Sequence, residues 1–236
     1  MPDNLIVVAR IHTAFPEKFG IPRQSGLVPS LKGEIHFEGE FKNPDAIRGI
    51  EEYSHLWLLW EFSQAKRDTI SLTVAPPRLG GKERKGVFAN RSPFRPNSIG
   101  LSCVRLEGIR YEENGEPVLI VSGADLLDGT PIFDIKPYLP YTDAHPEALG
   151  SFGEAHKKDH IDVVFPDNLK EKLPVHLRQT VLDVLSQDPR AAYNKKPDYV
   201  YGMQFAGFDI RFVVDQGILT VKDIVNVQKT SWEKIK

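Results

Sequence analysis

Cysteine is almost absent from this chain of 236 residues: it has one, Cys103. A single thiol excludes a disulfide framework within the chain, and with it a cysteine-rich metal site or iron–sulfur cluster. Its setting, Leu101-Ser102-Cys103-Val104, reads as an apolar strand in which a thiol is buried and inert. Long apolar runs are also missing. None approaches the roughly 18 to 20 residues that span a bilayer, and Met1-Pro2-Asp3-Asn4 lacks the basic-then-apolar order of a secretory signal. A cytoplasmic protein without a membrane partner is expected. Neither Gly-x-Gly-x-x-Gly after a strand nor Gly-x-x-x-x-Gly-Lys occurs, so neither a doubly wound nucleotide fold nor a P-loop is supported. Excess charge of one sign is small too: the formal net charge of −2 argues against a protein that coats nucleic acid through broad positive potential.

Apolar residues make up 41% of the chain, enough for one core with a small appended domain. From Leu5 to Val164 the pattern is one of short β-rich runs broken by Gly, Pro and Asn, which predicts an antiparallel sheet or barrel. The candidate strands are Leu5–Thr13, Gly33–Phe37, His55–Phe62, Ile70–Ala75, Gly86–Ala89, Ser98–Tyr111, Pro117–Leu126 and Ile132–Ile135. Asn114-Gly115 marks a tight hairpin turn, and Asn43 followed by Pro44 marks a short helix start. Residues 141–160 have the character of a loop or linker. Beyond them Pro174 opens a helix to about Gln187, with Leu177, Val181, Val184 and Leu185 as its apolar stripe. Strands at Val200–Phe205, Phe208–Val214 and Ile218–Val221 follow. The organisation expected is a mainly β chain with an α+β appendage: a barrel over residues 1–165 and a small C-terminal α+β domain over 166–236.

Three polar, Gly- and Pro-rich stretches interrupt the β pattern: 20–24, 88–100 and 123–138. In the second, Pro93 and Pro96 fix φ and stiffen the segment carrying Arg91 and Arg95. Preorganised guanidinium groups grip carboxylate or phosphate at little entropic cost; equally, these arginines could pair with Asp125, Asp128 or Asp134 and tie loops together. The third stretch holds those three carboxylates, suited to ribose hydroxyls, an amino group or a cation, with a hard metal such as magnesium as a further option. Arg78, Lys82, Arg84, Lys85, Arg91 and Arg95 form the strongest basic asymmetry, either a nucleic-acid contact or a solvated loop. His156, Lys157, Lys158 and His160 read as a solvated linker.

The run Val87-Phe88-Ala89-Asn90-Arg91-Ser92-Pro93-Phe94-Arg95-Pro96-Asn97-Ser98-Ile99-Gly100-Leu101, together with Asp125-Leu126-Leu127-Asp128-Gly129-Thr130-Pro131 and Asp134-Ile135-Lys136-Pro137-Tyr138, resembles the signature of the tRNA-methyltransferase O (TsaA-like) family. Pro22-Arg23-Gln24, Ser54-His55-Leu56-Trp57, Pro76-Pro77-Arg78-Leu79-Gly80-Gly81 and Asp188-Pro189-Arg190-Ala191-Ala192-Tyr193 extend the likeness over most of the chain. Relatives often have Thr-Arg-Ser and Asn-Pro-Ile-Gly where this chain has Asn90-Arg91-Ser92 and Asn97-Ser98-Ile99-Gly100, which removes a proline but no charge.

The resemblance implies a single-sheet antiparallel β-barrel, a homodimer, and S-adenosylmethionine as methyl donor, contacted by Pro22, Arg23, Gln24, Ser63, Gln64, Arg91, Leu101, Asp125, Leu126, Leu127 and Asp128. It implies methylation at N6 of threonylcarbamoyl-adenosine beside the anticodon of tRNA. Asp134, Lys136 and Tyr138 are the candidate catalytic residues. Arg78, Lys82, Arg84, Lys85 and Arg95 would meet RNA, and Phe94 either stacks on a base of the loop or plugs the barrel. The Asn- or Asp-Pro-Pro-aromatic loop of common adenine-amino methyltransferases is not reproduced by Ala75-Pro76-Pro77-Arg78. Two rivals stand beside this reading: a non-catalytic S-adenosylmethionine- or RNA-binding module, and a magnesium-dependent phosphoesterase built on Asp125, Asp128 and Asp134.

Overall fold

The computed structural model describes residues 5–65, 69–76, 83–150, 160–190 and 199–227. The expectations for Pro77, Arg78, Leu79, Gly80, Gly81, Lys82, His156, Lys157, Lys158, Ala191, Ala192 and Tyr193 lie outside the described residues.

Eight strands precede the linker: β1 (Ala9–Thr13), β2 (Lys32–Phe37), β3 (His55–Glu61), β4 (Thr73–Val74), β5 (Lys85–Gly86), β6 (Ile99–Tyr111), β7 (Pro117–Ser122) and β8 (Thr130–Pro137). Six of them close a barrel in the order β1-β2-β7-β6-β3-β8, with β4 and β5 paired apart as a small ribbon. Every barrel pair is antiparallel, including the closing pair β1 and β8. Period-two alternation fills the interior. On β3, Leu56, Leu58 and Trp60 are buried with Ile11, Ile35, Val104, Leu119, Val121 and Ile132, while His55, Trp57, Leu59 and Glu61 face outward.

Several element boundaries differ from the sequence reading for local reasons. The run expected to reach Leu126 stops at Ser122 because Gly123 takes φ +76°, turning the chain. The start at Asn43 is a single 3-10 turn, Pro44–Ile47, whose first amide at Asp45 donates to Asn43 Oδ1 (2.9 Å). It ends where Arg48 turns extended and Gly49 takes φ +86°. Residues expected as strand from Ile70 to Ala75 form strand only over β4; Ile70 and Leu72 are exposed, and Leu72 O accepts a single further bond from Val87 N (2.9 Å). Val87–Ala89 is likewise a 3-10 turn instead of strand.

After the barrel come α1 (Pro140–Asp143), β9 (Asp162–Val164), α2 (Asp167–Lys170), α3 (Val175–Ser186), β10 (Tyr201–Phe205), β11 (Phe208–Asp215) and β12 (Ile218–Asn226). The second sheet runs β10-β11-β12-β9, with β9 parallel to β12. Ile161 to Phe165, read from sequence as the end of the barrel domain, therefore pack with the second sheet. A three-residue strand paired in parallel carries no hairpin signal, so its allegiance is invisible in the local sequence. The stripe of α3 covers this sheet with Leu177, Val181, Val184 and Leu185. Ala14, Phe15, Val28 and Leu31, from the β1–β2 connection, belong to the same core.

Outside the barrel, Glu34 on β2 is nearly covered by Arg110 of β6, whose Nη2 donates to Oε2 (2.8 Å), while His36 Nε2 lies 3.1 Å from the same oxygen. Burial alone would raise this carboxyl, but the hydrogen bonds from His36 and Arg110 overcome it and hold it at about 2. A depressed folded value means that the stabilisation is complete above the ordinary value of 4.5 and is lost as pH falls toward 2. Urea unfolding of the wild type should weaken across that window, and Glu34→Gln should flatten this part of the profile while lowering stability at neutral pH.

Candidate functional site

Strand polarity gathers the chemistry. With all neighbours antiparallel, β1, β3 and β7 end where β2, β6 and β8 begin. The connections 14–31, 62–98 and 123–129 therefore rise from one end of the barrel, and these hold the whole of 20–24, residues 88–98 of the second stretch and 123–129 of the third, while 130–138 run along and past β8. Hydrogen bonds stitch them together. Gly26 N donates to Gly123 O (2.8 Å), Gly123 N to Leu31 O (2.8 Å) and Asp128 N to Phe15 O (2.9 Å). Phe62 N donates to Ser98 O (2.8 Å), and Lys18 Nζ reaches Gln64 O (2.8 Å). A Cβ on Gly123 would sit 3.3 Å from Gly26 Cα, so the two backbones meet where only glycine leaves room.

Arg91 stands on a braced loop. Arg95 Nη1 donates to the carbonyls of Val87 (3.2 Å) and Asn90 (2.7 Å), Ser92 N donates to Asn90 Oδ1 (2.8 Å), and Phe94 N to Ser92 Oγ (3.2 Å). Arg91 Nη1 donates to Gln24 Oε1, while Gln24 Nε2 donates to the carbonyl of Arg23. Arg23 Nη2 in turn donates to the carbonyls of Asp188 (3.3 Å) and Arg190 (3.1 Å).

Asp125, at the same end of the barrel, is largely buried and within electrostatic reach of Arg91. Ser102 Oγ donates to its Oδ1 (2.6 Å) and accepts from Trp60 Nε1 (3.0 Å). An indole N–H can only donate, so the single serine proton must point to the carboxylate. Gly100 is required here, because a Cβ would meet the Trp60 ring at 2.3 Å. Burial pushes the Asp125 carboxyl up to about 6, against the opposing pull of Ser102, its own amide, Arg91 and Ser25. A desolvated carboxylate and an exposed guanidinium at the same end of the barrel suit a zwitterionic ligand with separated cationic and anionic groups.

Residues 10–144 match the model of the tRNA-methyltransferase O N-terminal domain, and residues 158–227 that of the TrmO C-terminal domain. The chain belongs to the tRNA-methyltransferase O family. It is 40% identical over 216 residues to the tRNA (adenine(37)-N6)-methyltransferase of Escherichia coli K12, covering 88% of this chain and 92% of that one. It is 42% identical over 220 residues to a putative S-adenosylmethionine-dependent methyltransferase, RcsF, of Pseudomonas aeruginosa, covering 90% and 93%. The crystal structure of TrmO from Pseudomonas aeruginosa superposes with a TM-score of 0.75 at 34% identity, over 95% of this chain and 99% of that one. Mostly antiparallel strands in a closed barrel, with a small C-terminal sheet domain, are thus the architecture of this family.

Of the donor contacts expected in a tRNA-methyltransferase O, Pro22, Arg23, Gln24, Ser63, Gln64, Arg91 and Asp125 through Asp128 all occupy the end of the barrel just described. Their availability differs. Leu126 is buried in the barrel core, which leaves only its backbone, and that carbonyl already accepts from Thr13 Oγ1 (2.9 Å). Leu127 O accepts from Thr130 Oγ1 (2.7 Å). Asp128 Oδ1 accepts from Thr13 N (3.0 Å) and lies 3.1 Å from His12 Nδ1, a hydrogen bond that raises the histidine's pKa. Leu101 points away from Ser102 on the outer face of β6, 54% exposed.

The candidate catalytic residues do not join this end within one subunit. Asp134, Lys136 and Tyr138 follow β8 away from it, Tyr138 lying roughly 26 Å along the chain from Thr130 at full strand extension. There Tyr138 N donates to His55 O at the opposite rim (2.9 Å), and Lys136 pairs with Asp134 (2.8 Å). Among the RNA-contact candidates, Arg84 bonds Thr73 Oγ1 (2.8 Å) and O (2.7 Å), Lys85 pairs with Glu83, and Arg95 braces its own loop. Phe94 is 38% exposed, not a barrel plug. The three carboxylates proposed for magnesium point to different partners, and no group of three His, Cys, Asp or Glu side chains fit for a metal occurs among the described residues.

Sequence reasoning missed Ser102, Trp60 and Ser25, whose hydroxyl accepts from Cys103 N (3.1 Å). The only available signal was a serine at an inward position of an apolar strand, a polar group that must find a partner. Replacing Ser102 by alanine removes a bond that holds Asp125 down. Its titration midpoint, followed by carboxyl carbon NMR, should rise above about 6; an unmoved midpoint would show that Ser102 does not carry this interaction.

Proposed function

We propose that this chain is an S-adenosylmethionine-dependent methyltransferase acting at N6 of threonylcarbamoyl-adenosine beside the anticodon of tRNA, as a cytoplasmic homodimer. The observation that carries the reading is that Arg91, held by Gln24, and the largely buried Asp125 belong to loops gathered at one end of the barrel, near enough for the guanidinium to lower the carboxyl's pKa. The residues fit the donor: guanidinium for its carboxylate, carboxylate for its ammonium group or ribose hydroxyls, and a glycine-bounded cradle at Gly26 and Gly123. Pro22, Arg23, Gln24, Ser63, Gln64, Arg91 and the 125–128 turn would hold it.

When bound, the donor supplies an electrophilic methyl carbon on sulfonium, and the reaction exchanges the N6–H proton of the substrate for that methyl group. The chain's task is alignment and acceptance of that proton. In threonylcarbamoyl-adenosine N6 lies between a purine and a carbonyl, which makes its proton more acidic than that of a plain adenine amine. A carboxylate is therefore an adequate base.

Strand alternation supports the homodimer. Leu101 and Ser102 are neighbours on β6 facing opposite ways, so the Leu101 side chain cannot share the pocket of its own Asp125. Leu101, Leu59 and Asp134 are register partners along one outer row across β6, β3 and β8. A second subunit that presents Leu101 to the donor presents Asp134 from the same face, which makes Asp134 the best placed of the catalytic candidates, acting in trans with Lys136 beside it. Phe94, partly exposed on the braced loop, would stack on a base of the anticodon loop.

Donor labelled in its methyl group, incubated with tRNA carrying threonylcarbamoyl-adenosine, should pass label to the RNA, and tRNA lacking the threonylcarbamoyl group should take up far less. Tight donor binding without transfer would favour the binding module. Arg91→Ala should weaken donor binding by about tenfold or more, the loss of one charge-assisted contact, and calorimetry on the folded variant checks this.

A further inference from the structure

The β1–β2 connection belongs to two structures at once. One side of it, through Ala14, Phe15, Val28 and Leu31, is part of the C-terminal core, and Ala206 N donates to Ala14 O (2.8 Å). Gly20 takes φ +99° against Met203, whose sulfur would be 2.4 Å from any added Cβ. Its other side presents Arg23 and Gln24 to the candidate site. Where Gly20–Arg23 meets the end of α3, the remaining cleft is about 30 Å³, room for no more than a water or two.

That end of α3 has an unusual construction. Asp188 closes the helix at φ +47°, a left-handed geometry that aspartate tolerates better than most residues. Its carboxylate folds forward onto Arg190, accepting from Nε (2.8 Å), Nη2 (2.9 Å) and the Arg190 amide (3.3 Å). Arg190 is nearly buried, its side chain 10% exposed. The clamp brings the carbonyls of Asp188 and Arg190 to face one atom, Arg23 Nη2. A helix C-terminus carries partial negative charge, which favours a cation there.

We propose that the Asp188-Pro189-Arg190 turn is a positioning element for methyl-donor binding, acting through Arg23. A chain of hydrogen bonds connects the two regions. The turn holds the Arg23 side chain, the Arg23 carbonyl accepts from Gln24 Nε2, and Gln24 Oε1 accepts from Arg91. Both ends of the Gln24 amide are thereby committed, so its orientation depends on where Arg23 lies. The C-terminal domain thus sets the geometry of a pocket to which it need contribute no side chain. This inference rests on the placement of the donor at Arg23, Gln24 and Arg91.

A double-mutant cycle on the full chain tests it, with S-adenosylmethionine as titrant in calorimetry. Arg23→Ala and Asp188→Ala should each weaken binding by about tenfold, and the double variant should bind no worse than the weaker single one. Asp188→Asn, which keeps the left-handed turn and an acceptor for the Arg190 amide, should recover most of the affinity. Should Asp188→Ala fail to fold, Asp188→Gly keeps the turn geometry without the carboxylate and takes its place. Losses that multiply in the double variant, to about a hundredfold, overturn the proposal, as does full affinity in a folded Asp188→Ala or Asp188→Gly protein. If Arg91→Ala weakens binding while the Asp188 variants do not, only the positioning role fails. If Arg23→Ala and Arg91→Ala both bind normally, the donor site itself is misplaced and the positioning role falls with it.

Discussion

Closure of the barrel by an antiparallel pair between β1 and β8 is the constraint on which the rest depends. An all-antiparallel ring needs an even number of strands, and with six the chain must turn alternately at two ends. A ring has no free edges, so no strand can slip outward to relieve a poor loop. The long connections 14–31 and 62–98 and the turn 123–129 are consequently delivered to one place, although they are far apart in the chain. The same alternation that buries Leu56, Leu58 and Trp60 sends Trp57, Leu59 and Glu61 outside. Position along a strand decides distance from the site, and parity decides which face a residue serves.

Placed at that end, a buried carboxylate demands compensation. Taking Asp125 out of water raises its carboxyl, and the neighbours that oppose this, Ser102 first and Arg91 later, define the local chemistry. Ser102 works because Trp60 fixes which way its proton points, and Trp60 fits because residue 100 is glycine. Arg91 works because Arg95 is spent on holding the loop. Two arginines four residues apart thus play different parts: one internal brace and one group presented to the rim. Composition could not separate them, since both carry the same charge and lie within two residues of a proline.

Much of this architecture was legible in the sequence wherever the signal was local. Alternation marked most barrel strands, Asn114-Gly115 marked the β6–β7 hairpin, and the 3.6-residue stripe marked α3 within a residue or so. What escaped depends on distant partners. Nothing in Asp162–Val164 announces that it will lie parallel to β12, and nothing near Pro117 announces that Gly123 will end the strand by adopting positive φ. For the site, residue types pointed to Arg91 and Asp125, and the fold brings them to one end. Ser102 and Trp60 were hidden inside a run that reads as plain core. Asp134, Lys136 and Tyr138 looked adjacent to Asp125 in sequence, but a strand lengthens by about 3.3 Å per residue and carried them toward the far rim.

That separation bears on how such a small barrel can act on a large substrate. The end of the barrel proposed for the donor has its loops braced to each other and to the C-terminal domain. Rigid walls favour binding in one pose, yet a group that must accept a proton has to approach from the open side. The outer row of Leu101, Leu59 and Asp134 lies on the face of its own barrel opposite to inward-facing Ser102, so in the proposed homodimer such an approach would come from the other copy of the chain. Binding and proton transfer would then be divided between subunits by strand parity alone, and a substrate seated between two barrels would meet the donor loops of one and the outer sheet of the other.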